Sequence, residues 1–263
     1  CADARSAVGQ EAVMERRFFR SKFDGQWDWY MVEYPLSGAT GPLVVYLHGG
    51  LSHADQGFCE GYDWCFSNLA AEVRRRGGVY VSPEYRGNSW MNRAAESDLE
   101  SLVAQLRHEH KTGRTIITGG SMGGTSALIY ASHHPDTVDG VIALCPATDM
   151  RLLYRDMRAR SEQVFQVLAD SISSSYGGTP EEAEAEYSHR SSIECVSALT
   201  MPVVIRHGDA DNVVPVSHSR SIVERLRVQG TRVLYEETPG GDHDSPTHGT
   251  RWKEYLEFVL RAQ

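Results

Sequence analysis

The chain has 263 residues, of which 41% are hydrophobic and 23% charged, and its formal net charge is −9 at pH 7. This ordinary composition excludes a disordered chain, a collagen-like repeat and a disulfide scaffold, and the length suits one large domain or two small ones. The excess of acidic groups repels a phosphate backbone, so we expect no nucleic-acid partner. No apolar run approaches the roughly 20 residues of a membrane-spanning helix, so no span is expected either.

The cysteines and the first residue bear on the cellular compartment. Five cysteines cannot all pair within one chain. Cys59 and Cys65 are close enough in sequence for a local bridge, whereas Cys145 and Cys195 lie in apolar or mixed surroundings that suit free thiols. Cys1 would suit either a lipid-modified first residue or a trimmed chain end. We expect a secreted or cell-envelope protein if Cys1 is a processed N-terminus, and a cytoplasmic one otherwise.

Short β-rich runs alternate with helical patterns along the chain, which is typical of an α/β domain with a mainly parallel sheet. Residues 17–22 and 27–34 flank Asp24-Gly25 and predict an antiparallel hairpin. Further strands are predicted at residues 42–47, 79–82, 115–118, 140–144, 202–206 and 232–236. Helices are predicted at residues 63–76, 94–110, 122–133, 217–229 and 250–260.

The stretch from about residue 150 to 200 breaks this alternation. It is rich in charged residues and contains a helical run at 161–171. We therefore predict a single domain over residues 1–263, with a small helical insertion that lies over the carboxyl edge of the sheet like a lid. The expected fold is α/β, with an eight-stranded, mostly parallel sheet that has helices on both faces.

A glycine-rich run carries the candidate nucleophile. Residues 119–124 read Gly-Gly-Ser-Met-Gly-Gly, which is a Gly-x-Ser-x-Gly motif between a predicted strand and a predicted helix. The alternative is a glycine-rich helix entry in which Ser121 is only the cap. The sharp strand-to-helix turn favours the nucleophile, because it holds Ser121 in a strained backbone at a helix N-terminus, where developing negative charge is stabilised.

Together with other motifs, this run gives the chain its resemblance to a known family. These motifs lie at residues 47–50 (LHGG), 84–87 (EYRG), 119–124, 176–180 (YGGTP), 207–215 (HGDADNVVP) and 240–243 (GGDH). With these motifs in the family's order, the chain resembles the α/β-hydrolases and, among them, the catalytic domain of the prolyl oligopeptidase family. The resemblance implies a serine hydrolase whose catalytic serine, acid and histidine follow one another in that order.

The resemblance also indicates the acid and the base. A serine hydroxyl needs a base to take its proton, and the base needs a carboxylate to orient it. The family position of the acid corresponds to Asp211; Asp209 is the alternative, and we expect it to shape the turn by hydrogen bonding to the backbone. The position of the base corresponds to His243, with His248 as the alternative.

Two backbone N–H groups are expected to form an oxyanion hole. One belongs to Met122, the residue after the nucleophile. The other comes from the loop at residues 48–51, where the resemblance indicates Gly50, with Leu51 close behind. The loop lacks the third glycine found in the hormone-sensitive-lipase type and so departs from that type.

Aromatic residues in neighbouring loops are candidates for the substrate pocket. Leu51, Trp64, Tyr85 and Trp90 are predicted to bind substrate. The aromatic rings would either stack on a sugar or an aromatic acyl group or pack against the lid, and the sequence leaves both possibilities open. No cluster of His, Cys or Glu has the spacing of metal ligands, so we expect neither a metal nor a cofactor.

The predicted function is hydrolysis of carboxylic esters through an acyl-enzyme, with acyl-carbohydrate esters as one candidate substrate class. The alternative is a peptidase that cleaves short peptides, and a non-catalytic binding relative is a third hypothesis. Peptidases of this family usually carry a β-propeller before the catalytic domain, and only about forty residues precede the first core strand here. On that ground the sequence favours the esterase. Partners are therefore expected to be small-molecule esters or short peptides.

Overall fold

The computed structural model describes residues 12–58 and 66–261. Its centre is an eight-stranded sheet in the order β1-β2-β4-β3-β5-β6-β7-β8. The strands are β1 (Ala12–Arg20), β2 (Trp27–Pro35), β3 (Leu43–Leu47), β4 (Val79–Pro83), β5 (Thr115–Gly120), β6 (Gly140–Leu144), β7 (Val203–Gly208) and β8 (Val233–Thr238). β1 and β2 form an antiparallel hairpin, β2 is antiparallel to β4, and all other neighbours are parallel. The predicted fold class is confirmed.

Helices cover both faces of this sheet. In the described ranges they are α1 (Ser67–Arg75), α2 (Arg93–His110), α3 (Met122–His133), α4 (Met150–Arg158), α5 (Gln163–Tyr176), α6 (Glu184–His189), α7 (Ser217–Val228) and α8 (Trp252–Leu260). Short 3-10 turns occur at Ala54–Phe58, Val196–Ala198 and Ser245–Thr247. Among the helices of residues 12–58 and 66–261, none is both long and apolar enough to cross a bilayer.

The central strands are apolar along their whole length because both of their faces are covered. All five residues of β3 are buried. Val45 belongs to an apolar cluster that includes residues of α2, α3 and α7, whereas its neighbour Val44 belongs to a second cluster with residues of α1 and α8. Successive side chains of a strand point to opposite faces, so one apolar run supplies both cores.

Among the strands that run further than the sequence pattern predicts, two end on glycine. β5 continues to Gly120 and β7 to Gly208, although glycine disfavours strands. Gly120 is paired with Leu144 of β6, and Gly208 with Thr238 of β8. The parallel ladder therefore extends to the carboxyl edge of the sheet, where the turn that follows β5 begins.

The insertion between β6 and β7 consists mainly of α4, α5 and α6. α5 extends to Tyr176, five residues beyond its predicted end, and stops at Gly177, whose φ of 82° is left-handed. Leu168 of α5 lies within van der Waals reach of the loop at residues 48–51, here called the glycine loop. Its Cδ2 atom is 3.2 Å from the position that a Cβ on Gly50 would take. The helical insertion thus lies beside the loop that follows β3.

Candidate active site

Ser121 lies in the turn between β5 and α3. Its backbone angles are φ 55° and ψ −120°, a strained conformation for a residue with a side chain. The Ser121 N–H donates to the carbonyl oxygen of Leu144 at 2.8 Å, which ties the turn to the end of β6. The strained turn predicted from the motif is therefore present.

The glycines around Ser121 are required by close packing. A Cβ on Gly119 or on Gly123 would overlap the carbonyl oxygen of Leu47, because β3 lies directly against this turn. A Cβ on Gly124 would lie 2.8 Å from the carbonyl oxygen of Leu144. The motif thus lets α3 start in contact with two strands.

His243 connects Ser121 to Asp211. The Nε2 atom of His243 lies 2.8 Å from Oγ of Ser121, and its Nδ1 atom lies 2.6 Å from Oδ2 of Asp211. An ionised carboxylate can only accept a hydrogen bond, so Nδ1 carries the proton and Nε2 of the neutral ring accepts from the serine hydroxyl. The structure therefore joins the three predicted residues in one chain of hydrogen bonds, although they are 90 and 32 positions apart in the sequence.

Asp211 is held as a carboxylate. Its Oδ1 atom accepts the N–H groups of Val213 and Val214 at 2.8 and 2.9 Å, and its Oδ2 atom accepts from His207 Nε2 at 3.1 Å as well as from His243. The side chain is fully buried. Burial alone would raise the pKa of the Asp211 carboxyl, but the hydrogen bonds from His207 and His243 outweigh it and hold that pKa well below its usual range.

Asp209 and His248, the alternatives for the acid and the base, have other partners. Asp209 Oδ1 accepts the N–H of Gly240 at 2.6 Å, so Asp209 shapes the turn before His243, as predicted for it. His248 is exposed, and its carbonyl oxygen accepts from Arg206 at 2.8 Å. The hydrogen bonds of the Ser121 hydroxyl and the Asp211 carboxylate go to His243 instead.

Two backbone N–H groups beside Ser121 are available for an oxyanion. In the glycine loop, Gly49 N–H donates to Gln56 Oε1 at 2.8 Å and Leu51 N–H donates to Asn88 Oδ1 at 2.7 Å. Among the described residues, neither the Gly50 N–H nor the Met122 N–H has an acceptor. The structure therefore favours Gly50 over Leu51 as the partner of Met122.

The glycine loop is held from several sides. Tyr85, which is buried, donates its hydroxyl to the carbonyl oxygen of His48 at 2.7 Å. His48 is itself buried, with Nε2 3.0 Å from the carbonyl oxygen of Glu84. Together with the bonds to Gln56 and Asn88, these contacts fix the direction in which the Gly50 N–H points.

A cavity of about 380 Å³ opens at Ser121. It combines backbone of the two glycine-rich loops with a few polar and aromatic side chains. Its lining residues are Tyr46, Gly49, Gly50, Gln56, Phe66, Gly120, Ser121, Cys145, His243, Asp244 and Thr247. Small-molecule sites have this form, with a few placed polar groups among apolar surface.

The predicted substrate-binding aromatics do not line this cavity where the structure describes them. Trp90 is buried, and its Nε1–H donates to Ser171 Oγ of α5 at 2.8 Å, while its carbonyl oxygen accepts from the Tyr176 hydroxyl at 2.8 Å. Trp90 thus packs against the insertion, and Tyr85 supports the glycine loop. Leu51 is 52% exposed and lies at the rim of that loop. Trp64 lies outside the described residues.

Cys145 is the one described cysteine in the cavity wall. It is buried, and burial raises the pKa of its thiol, so the thiol stays protonated. Its Sγ atom lies within 4.8 Å of ligand atoms of Asp211 and His243, but those atoms already serve the hydrogen-bond chain. Cys195 is a half-buried free thiol. Cys1 and the predicted local pair Cys59 and Cys65 lie outside the described residues.

Comparison with known proteins places this arrangement in a family. Residues 64–261 match the model of the prolyl oligopeptidase family. The chain belongs to that family. The predicted resemblance is thereby confirmed, and with it the assignment of the chain to a family of serine hydrolases.

The relatives of this prolyl oligopeptidase family member include proteins named as a peptidase and as a lipase. The chain is 27% identical over 160 residues to an uncharacterised peptidase, YtmA, of Bacillus subtilis, covering 58% of this chain and 59% of that one. It is 23% identical over 219 residues to a monoacylglycerol lipase of Mycolicibacterium smegmatis, covering 70% and 75%. Among solved structures, an acylaminoacyl peptidase of Pyrococcus horikoshii matches with a TM-score of 0.71 and 21% identity.

The chain spans only part of the length of YtmA and of the P. horikoshii peptidase. The P. horikoshii structure is matched over 94% of this chain but only 41% of its own, and at this identity the likeness shows the shared fold alone. The chain thus spans little more than half of YtmA and less than half of that peptidase.

Three supporting residues were missed as functional residues from the sequence. His207 stands in the HGDADNVVP run, and Asn88 directly follows the EYRG run, so the sequence motifs carried a signal for both residues. Gln56 carries no sequence signal, because its contact with Gly49 depends on how the loop after β3 folds back.

Proposed function

We propose that this chain hydrolyses carboxylic esters by forming an acyl-enzyme on Ser121. The observation that carries the proposal is the continuous hydrogen-bond chain from Ser121 Oγ through His243 to the buried Asp211, beside two N–H groups without an acceptor in the described protein. Such an arrangement performs acyl transfer.

In the proposed reaction, Ser121 Oγ attacks the ester carbonyl carbon while its proton passes to His243 Nε2. The carbonyl oxygen becomes an oxyanion that the Gly50 and Met122 N–H groups stabilise. The bond to the leaving alkoxide then breaks, and His243 returns the proton to it. Water, activated in turn by His243, hydrolyses the acyl-enzyme, so the cycle consumes one ester and one water and needs no cofactor.

Asp211 supports the proton transfers without taking the proton itself. Its pKa lies well below its usual range, so it stays ionised while His243 becomes positively charged. A buried negative charge 2.6 Å from Nδ1 stabilises the imidazolium that forms during attack.

A second candidate is hydrolysis of short peptides, and the family match and the peptidase neighbours support it at least as strongly. The same groups can cleave an amide, because His243 can protonate a leaving amine as it does an alkoxide. The monoacylglycerol lipase among the relatives supports the ester. Acyl groups on carbohydrate are one proposed subclass of ester.

Labelling with a fluorophosphonate probe tests whether Ser121 is nucleophilic. We expect the wild type to be labelled and the variant Ser121→Ala not to be. Ser197→Ala, which alters an exposed serine of the turn before β7, serves as the matched control and should label like the wild type. An unlabelled wild type would indicate a non-catalytic binding protein instead.

Kinetics with an ester and with anilides, which both release a chromophore, separates ester from peptide hydrolysis. We expect kcat/KM for p-nitrophenyl acetate to exceed that for a panel of aminoacyl p-nitroanilides. Higher values for the anilides would make the chain a peptidase and refute the ester preference.

A further inference from the structure

Gln56 lies in the 3-10 turn Ala54–Phe58 that follows β3, beside the glycine loop. Its Oε1 atom accepts two hydrogen bonds, from the Gly49 N–H at 2.8 Å and from the Tyr46 hydroxyl at 2.8 Å. The same side chain lines the cavity at Ser121.

These contacts determine which way the carboxamide faces. A backbone N–H can only donate, so the atom that faces Gly49 must be the oxygen and not the amide nitrogen. The Nε2 group, with its two N–H donors, therefore takes no part in these two bonds.

The Nε2 group of Gln56 has no hydrogen-bond acceptor within residues 12–58 and 66–261. It is accessible to solvent, because the buried polar atoms without a partner do not include it. A neutral donor on a cavity wall beside a nucleophile is suited to a substrate oxygen.

We propose that the Gln56 carboxamide is a specificity-determining group whose Nε2 donates to an acceptor oxygen that the substrate carries near its scissile carbonyl. The inference rests on the proposed hydrolase function and names its substrate class. That class is neutral acyl compounds with an ether, hydroxyl or carbonyl oxygen a few bonds from the reacting carbon.

The other polar groups of the cavity agree with this class. Asp244 also lines it and presents a carboxylate, which accepts hydrogen bonds and repels anionic substrates. A substrate oxygen beside Gln56 can accept from Nε2, whereas an alkyl chain in the same place would shield the Nε2 donors from water and leave them without a partner. Leaving a covered donor unpaired disfavours purely alkyl substrates.

Two pairs of esters, each differing by one ether oxygen, test the proposal. On the acyl side they are p-nitrophenyl methoxyacetate and p-nitrophenyl butyrate, and on the alcohol side 2-methoxyethyl acetate and n-butyl acetate. For each pair we define the preference as the ratio of kcat/KM, ether-bearing ester over alkyl ester. In the wild type at least one preference should exceed the corresponding ratio for hydroxide-catalysed hydrolysis by about tenfold, the value of one hydrogen bond that is otherwise lost.

The variant Gln56→Glu separates substrate binding from loop support. A glutamate oxygen can still accept from Gly49 and Tyr46, but its second oxygen replaces the donor with an acceptor. We expect this variant to lower the preference about tenfold, whatever its absolute activity. Gln105→Glu, the same exchange on the exposed face of α2, is the matched control and should keep the wild-type preference.

Three results are decisive. A wild-type preference equal to the hydroxide ratio in both pairs overturns the proposal without any variant. An unchanged preference in Gln56→Glu, with turnover of both esters, restricts Gln56 to supporting the loop and also overturns it. If the wild type neither reacts with fluorophosphonate nor hydrolyses esters or anilides, the hydrolase function itself fails, and the role of Gln56 fails with it.

Discussion

The buried imidazole of His207 donates its Nε2–H to Oδ2 of Asp211 at 3.1 Å, the same oxygen that accepts from His243 Nδ1. His207 Nε2 also lies 2.9 Å from the carbonyl oxygen of Val214, so both groups facing it are acceptors and Nε2 must carry the proton. His207 Nδ1 then accepts from the Ser219 hydroxyl at 2.7 Å. The ring therefore joins Asp211 to α7, and we expect His207 to position the Asp211 carboxylate.

Removing the donor of His207 should loosen Asp211. We expect His207→Leu to lower kcat about tenfold, the effect of one lost hydrogen bond, and to leave KM nearly unchanged because the residue does not line the cavity. His207→Gln, whose amide nitrogen can replace Nε2–H, should recover most of the rate. Steady-state kinetics with p-nitrophenyl acetate measures both. A rise in KM with constant kcat would contradict a positioning role.

The two aspartates after β7 should respond very differently to the same exchange. Asp211→Asn offers His243 Nδ1 an amide in place of a carboxylate and allows the wrong tautomer of the ring, so we expect kcat to fall on the order of 10³- to 10⁴-fold. Asp209→Asn keeps an oxygen for the Gly240 N–H and should change kcat little. Comparable losses in the two variants would argue against Asp211 as the acid.

Asn88 should affect catalysis through its contact with the glycine loop. Its Oδ1 holds the Leu51 N–H at 2.7 Å, next to the Gly50 donor. We expect Asn88→Ala to lower kcat by up to about tenfold, the value of one hydrogen bond, while Asn88→Asp keeps an acceptor and most of the rate. Equal losses in the two variants would exclude the contact with Leu51 as the cause.

Gly123 should tolerate no side chain. In Gly123→Ala the new methyl group would overlap the carbonyl oxygen of Leu47, so we expect the free energy of unfolding to fall by about 3 kcal/mol or more. Gly113→Ala is the matched control, because nothing described lies within 4 Å of its Cβ position, and it should change stability by less than about 1 kcal/mol. Urea unfolding of both variants measures the difference, and similar midpoints would contradict the packing argument.

Buried His218 should make the protein less stable in acid. Burial lowers the pKa of His218 to about 4, and its Nδ1 accepts the N–H of Thr148 at 3.2 Å. The unfolded chain binds the proton more readily, with a pKa near 6.5, so this contribution is complete above pH 6.5 and is lost as the pH falls toward 4. At about 1.4 kcal/mol per pKa unit, His218 accounts for about 3 kcal/mol of that loss.

The variant His218→Asn isolates this contribution. Its Oδ1 can take the place of Nδ1 as the acceptor for Thr148, but the asparagine does not titrate. The free energy of unfolding, measured in urea at pH 7.5, 6 and 4.5, should therefore fall less steeply in this variant than in the wild type. Parallel pH profiles would show that His218 is not responsible.

The alternation of β-rich and helical runs predicted the fold class, and the family resemblance indicated Ser121, Asp211 and His243. The runs that hold these residues sit at strand ends, and in a parallel sheet the carboxyl ends lie along one edge, so the fold can bring them together. Continuous apolar runs predicted the buried strands, because a strand that is covered on both faces is apolar along its whole length.

Contacts between distant parts of the chain distinguish neighbouring groups of the same type. Asp209 and Asp211 are two residues apart, and Gly50 and Leu51 adjacent, so their roles depend on where the partners Gly240, His243 and Asn88 lie in space. Trp90 is a further example, because its side chain contacts α5, and no local sequence pattern predicts the position of that helix. Hydrogen bonds between residues distant in sequence select among neighbours that sequence patterns cannot distinguish, because spacing along a chain does not specify direction in space.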